Sequence, residues 1–145
     1  MQRHRFSILI KAPKERVYKM MLERETYKQW TKSFDPASSY EGDWSVGSKM
    51  TFGSESGSGM YAEIAENRKN EFVSIHHLGM IENGVVDTES DKVKSWLPAY
   101  ENYTFTEKDG MTEVAVDMDI APEYENMFKE MWPKALAALK EICEA

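Results

Sequence analysis

A chain of 145 residues suits one domain with a buried core. Its formal net charge of −7, with 25 acidic against 18 basic side chains, argues against a nucleic-acid surface, where Lys and Arg cluster on phosphate, and against an anionic membrane face. No apolar run approaches the roughly 20 residues that span a bilayer, and Met1 to Arg5 leads into a strand without the apolar stretch of a signal peptide. The single cysteine, Cys143, cannot close an internal disulfide, so a cytoplasmic location is expected.

The first strand spans Arg5 to Lys11, with Phe6, Ile8 and Ile10 on one face. Pro13 then sits where a first helical turn tolerates proline, and a helix follows through Leu22 with Val17, Met20 and Met21 turned inward. A second short helix, Arg24 to Trp30, sets Tyr27 and Trp30 one turn apart. From Ser38 the apolar period changes to two. Strands are expected at Ser38–Gly42, Lys49–Gly53, Gly59–Asn67, Glu71–Met80, Ala99–Glu107 and Met111–Ile120, separated by turn chemistry that includes the Gly/Ser run 53–59.

Asp109-Gly110 between two alternating runs is a strong hairpin signal. A two-residue loop there sets Phe105 opposite Val114, Tyr103 opposite Val116, and Glu101 opposite Met118, so that Glu101, Tyr103 and Phe105 share the apolar face. Met60, Ala62 and Ile64 are expected opposite residues including His77, Ile75 and Val73. Residues 82–98 read as a polar excursion with one helical turn around Ser90 to Trp96.

The chain closes with a helix over 121–145, whose apolar stripe is read as Tyr124, Met127, Phe128, Met131, Ala135, Ala138, Leu139 and Ile142. Pro133 falls on the opposite, solvent side, where it bends the helix without breaking its packing, and Cys143 falls to one side of the stripe. The order strand, two helices, six strands and long helix predicts an α+β fold in a single domain, 1–145. A curved antiparallel sheet of about seven strands then wraps the terminal helix and leaves a cavity between them.

Particular residues carry a resemblance. They are ILIKAPKERVY from Ile8 to Tyr18, Tyr27-Lys28-Gln29-Trp30, Trp44-Ser45-Val46-Gly47-Ser48, EFVSIHHLG from Glu71 to Gly79, and MWPKALAAL from Met131 to Leu139. In these the chain resembles the START-like helix-grip (SRPBCC) superfamily, and most closely the homologues of the activator of the heat-shock-protein-ninety ATPase. The resemblance implies a curved sheet gripping the C-terminal helix and a pocket for an apolar or amphipathic small molecule. It also implies a possible chaperone contact, although the chaperone-activating relatives carry a separate N-terminal domain and this sequence begins at the helix-grip strand.

The candidate ligand-binding set is Phe34, His77, Trp96, Glu101, Tyr103, Phe105, Met118, Met127 and Met131. Ten methionines supply soft, adaptable wall material or simply fill an irregular core. Glu101 is the leading polar candidate, because a carboxylate facing inward needs a partner or a shifted pKa; at a sheet edge it would instead reach water. His77 carries a similar argument. Trp30, Trp44, Trp96 and Phe34 either ring a pocket mouth or pack beneath loops.

No catalytic triad can be assembled, and no cofactor or metal is expected. Adjacent His76 and His77 point to opposite strand faces, and Gly57-Ser58-Gly59-Met60-Tyr61-Ala62 leads into a strand without the helix N-terminus that binds pyrophosphate. In the acidic alternation Asp87, Glu89, Asp91, Lys92 stands where a calcium loop requires glycine. The expected function is non-catalytic binding of a small hydrophobic or amphipathic ligand by a monomer or weak dimer. The alternatives are a chaperone-ATPase activator-like module and a cyclase or dehydratase using Glu101 or His77.

Overall fold

The computed structural model describes residues 2–53 and 57–145. Strand β1 (Gln2–Ile10) leads into helices α1 (Lys14–Leu22) and α2 (Arg24–Trp30) and a short 3-10 turn, Thr31–Ser33. Strands β2 (Ser39–Glu41), β3 (Lys49–Gly53), β4 (Gly59–Arg68), β5 (Phe72–Glu82) and β6 (Val85–Asp87) follow. After helix α3 (Asp91–Lys94) come β7 (Ala99–Lys108), β8 (Met111–Ile120) and the long helix α4 (Glu125–Glu144). All pairings are antiparallel, in the order β1-β8-β7-β5-β4-β3-β2, with β6 attached to β5. This is the α+β helix-grip architecture. The middle of the Gly/Ser run 53–59 lies outside the described residues.

Among the described residues the sheet has eight strands where about seven were expected, and β6 is the addition. Asn83 and Gly84 take φ of 50° and 77°, the left-handed pair that a tight two-residue hairpin turn requires. Asn83-Gly84 is itself a hairpin signal in the sequence, but Val85 and Val86 are both exposed, so no alternation marks the strand. Asp109 and Gly110 form the anticipated turn, with φ of 55° and 75°. The β7–β8 register pairs Phe105 with Val114, Tyr103 with Val116, and Glu101 with Met118, as the two-residue loop demands.

In the β4–β5 pair, Ala62 faces His77 and Ile64 faces Ile75. Register shifts beside Ala62 and Ile64 move Met60 opposite Met80 and Val73 opposite Asn67. Bulges of this kind sharpen local twist and bend, and the sheet needs that bend to close on a helix.

Helix α4 is rotated from its expected orientation. Its buried residues are Trp132, Ala135, Leu136, Leu139 and Cys143, whereas Tyr124 and Met127 are 38% and 40% exposed. At about 100° per residue the buried stripe lies about 70° from the one read in the sequence. The reason is Trp132, the largest side chain on the helix, which occupies the concave face and leaves Met131 on the flank. Cys143 is therefore core, and burial pushes its thiol up to about 11.

Pro133 is exposed, as expected. The C-terminal turn of α4 is held by Arg16, which donates to the carbonyls of Cys143 at 2.7 Å and Ile142 at 3.3 Å. The Lys11 amide donates to Glu144 at 2.8 Å, anchoring the same end to the strand side.

Removing the Trp132 side chain should cost about 3–5 kcal/mol, as for large aromatic-to-alanine changes in cores. Pro133→Ala should leave stability unchanged or raise it, since it restores a helical donor at an exposed position. Urea denaturation of the two variants against the parent checks the contrast.

Candidate functional site

Between the concave face of the sheet and α4 lies a cavity of about 440 Å³. Its walls come from α2 and the turn after it (Tyr27, Trp30, Phe34), from the sheet (Phe52, Ile75, Met118) and from α4 (Met127, Phe128, Trp132). The strand pleat explains the sheet wall: side chains two apart along β7 and β8 stand on the same face. The α2 wall is held by local hydrogen bonds. Trp30 Nε1 donates to the Met21 carbonyl at 3.0 Å, and the Tyr40 hydroxyl donates to the Leu22 carbonyl.

Tyr27 meets Trp30 edge-on, with ring centroids 5.3 Å apart, and Tyr40 at 4.9 Å. Trp132 donates from Nε1 to the Met118 sulfur at 3.0 Å, which locks the α4 wall to the sheet wall.

One polar constellation sits in this apolar enclosure. Glu101 Oε1 is 3.2 Å from His77 Nε2, and Glu101 Oε2 accepts from the Tyr103 hydroxyl at 2.5 Å. The Glu101 and His77 side chains are 15% and 9% exposed, so the pair is largely shielded from water. A carboxylate oxygen only accepts, so Nε2 carries the proton that joins the pair, and Nδ1 is the ring's other polar atom. That Nδ1 is buried without a hydrogen-bond partner among the described residues.

Burial pushes the Tyr103 phenol well above its ordinary pKa, and the charge of Glu101 reinforces the shift. Burial, then Glu101, raises Tyr27 in the same direction. Both phenols therefore stay protonated donors across the physiological range.

Of the nine side chains anticipated in the sequence, Phe34, His77, Trp96, Glu101, Tyr103, Met118 and Met127 line the cavity. Phe105 and Met131 do not. Phe105 lies beyond Tyr103 along β7 and packs edge-on against Tyr18 of α1, centroids 5.6 Å apart, so α1 covers it. Met131 sits on the helix flank, where its carbonyl accepts from Ser33 Oγ at 3.3 Å. Trp44 also stays out of the wall and packs against Tyr40, centroids 5.2 Å apart.

The sequence reading passed over Tyr27, Phe52, Asp119 and Trp132. Only Trp132 had a usable signal, because a helix face centred on that residue would have gathered Leu136 and Cys143 with it. Among the described residues no cluster of three or more His, Cys, Asp or Glu is arranged to hold a metal ion. The Asp87 carboxylate instead accepts from the Glu89 and Ser90 amides at 3.1 and 3.0 Å, shaping the turn into α3.

Comparison with known proteins settles the family. The family described as activator of Hsp90 ATPase homolog 1-like protein matches residues 11–144. The chain belongs to this family. Among solved structures, protein MLL2253 from Mesorhizobium loti is 13% identical, with a TM-score of 0.73 over 97% of this chain and 95% of that one. The Aha1 dimer from Colwellia psychrerythraea is 18% identical, with a TM-score of 0.72 over 99% of this chain and 97% of its own. DynU16, a protein of the dynemicin biosynthetic locus, is 12% identical, with a TM-score of 0.72 over 97% of this chain and 46% of that one. At these identities the likeness shows the shared fold. No curated protein matches the sequence.

The raised phenols give a pH prediction for this Hsp90-activator-like domain. A group whose folded pKa is raised contributes stability that is complete below its unfolded value, about 10 for tyrosine, and is lost as pH climbs toward the folded value. Stability should therefore fall above about pH 10. In an ultraviolet titration of the seven tyrosines, Tyr27 and Tyr103 should ionise only as the chain unfolds. Tyr103→Phe should reduce the late-ionising fraction.

Proposed function

We propose that this domain binds a small apolar or amphipathic molecule in the cavity between the sheet and α4. The observation that carries the reading is the open volume of about 440 Å³ inside an aromatic and methionine lining. A packed interior leaves few voids larger than a water molecule, whereas ligand pockets run to roughly 300–1,000 Å³. Flexible thioethers at Met60, Met80, Met118 and Met127 let the wall adapt to ligands of different outline. In this reading Phe34, His77, Trp96, Glu101, Tyr103, Met118 and Met127 contact the ligand.

The test is titration of the purified domain with N-phenylnaphthylamine, followed by probe emission and by native mass spectrometry. One molecule bound per chain is expected. Ala99→Trp, which fills the cavity from β7, should lower affinity at least tenfold while circular dichroism stays unchanged. Absence of binding to this probe and to an apolar panel would overturn the reading.

A second reading rests on the His77–Glu101–Tyr103 trio, which offers an acceptor and a donor side by side in a dry site. Those are the groups a dehydratase or cyclase needs to move protons. DynU16, from a biosynthetic locus, shares the fold that would host such chemistry. Loss of one water from an apolar β-hydroxy ketone, abolished in Glu101→Gln and His77→Ala, is the expected result; unchanged probe after prolonged incubation sinks this reading.

The family description also motivates a chaperone partner, tested by stimulation of an Hsp90-type ATPase. The Colwellia relative, described as a dimer, motivates sedimentation of this chain across concentration.

A further inference from the structure

The cavity is lopsided in charge. Its described lining includes three carboxylates, Asp35, Glu101 and Asp119, and no lysine or arginine. Asp119 is compensated from outside by Arg3 at 2.9 Å, and its second oxygen accepts from the Tyr100 amide at 2.9 Å. Asp35 accepts from the Ala37 amide at 2.9 Å. Glu101 has neither compensation: its partners are a phenol and an imidazole, and each oxygen keeps a second lone pair free.

Two independent features point the same way. His77 is 7% exposed and lines the cavity, and its Nδ1 has no hydrogen-bond partner among the described residues, so the wall holds a buried polar atom that a ligand's polar end would satisfy. The surrounding wall, including Trp30, Phe34, Trp96, Phe128 and Trp132, is rich in aromatic rings, whose faces attract cations. An incoming carboxylate or phosphate would find no lysine or arginine on the described lining and would approach Glu101 at close range, a repulsion that low dielectric amplifies.

We propose that this cavity, taken as the ligand site argued above, selects amphiphiles whose polar end is a protonated amine and rejects those ending in a carboxylate or phosphate. The ammonium head lies near Glu101, donating to the free lone pairs of its carboxylate, and the apolar body lies along the aromatic wall toward α4. Fatty acids and phospholipid monoesters are thereby disfavoured, although their tails would fit the same lining.

The test uses three probes with one tail: decylamine, decanol and decanoic acid, titrated below micelle formation at pH 7 against the whole chain by isothermal calorimetry. The same series is repeated in high salt to remove attraction to the chain's overall negative charge. Decylammonium should bind at least tenfold tighter than decanoate, with decanol between, and the order should survive high salt. Glu101→Gln should shrink the amine-to-carboxylate ratio to threefold or less. The exposed control Glu141→Gln should leave it unchanged.

Should Glu101→Gln fail to fold, Asp35→Asn supplies the second variant, with a smaller reduction in the ratio expected. Equal or tighter binding of decanoate overturns the charge selection while leaving the cavity reading intact. A ratio that collapses in high salt, or that neither variant changes, overturns it too. If none of the three probes binds, the cavity reading itself falls and takes this inference with it.

Discussion

Everything in this fold that concerns the cavity depends on where Trp132 sits. Its ring stacks on Phe6 of β1 at 6.1 Å and meets Phe34 edge-on at 4.9 Å. It approaches Trp30 of α2 at 5.9 Å and Tyr103 of β7 at 6.4 Å. Its indole N–H reaches the Met118 sulfur on β8. One side chain thus touches three adjacent strands at one end of the sheet, β1, β8 and β7, together with α2 and the turn after it. Aromatic pairs at these separations add to the area they bury, so this position sets both the depth and the rotation of α4.

The cavity follows from that placement. The N-terminal half of α4 supplies Met127, Phe128 and Trp132 to the cavity wall. Toward the C-terminus, Ala135 and Leu139 are completely buried, and Arg16 and Lys11 tether the last turn. The helix is tethered at its C-terminal end, and the open volume lies against its N-terminal half. The polar trio at its wall survives burial because each member is hydrogen-bonded. Glu101 accepts from both neighbours, and Tyr103 keeps its proton because burial, and then the charge of Glu101, disfavours ionising it.

Much of this was legible along the chain. The Asp109-Gly110 turn allows only one two-residue register, and that register alone places Glu101, Tyr103 and Met118 on the inner face. Helix α2 was readable to its ends because Tyr27 and Trp30 are spaced as one turn and Phe34 to Pro36 stop it. Other features were less so. Strand β6 escaped because its two valines face water, and the bulges in β4–β5 left no mark in the residue pattern. Phe105 carried the right periodicity for the cavity and still lies outside it, because α1 covers that end of β7.

The sequence by itself determined the order of elements, the hairpin registers and which face of each strand is apolar. These depend on neighbours two to four residues apart or on tight turns, where local sterics decide. Tertiary structure decided the rotation of α4, the exclusion of Phe105 and Met131, and the meeting of His77 with Glu101. The apolar positions of α4 fill more than half its circumference, so several rotations bury similar area. Only the shape of the sheet, with room for one large indole against Met118, selects among them.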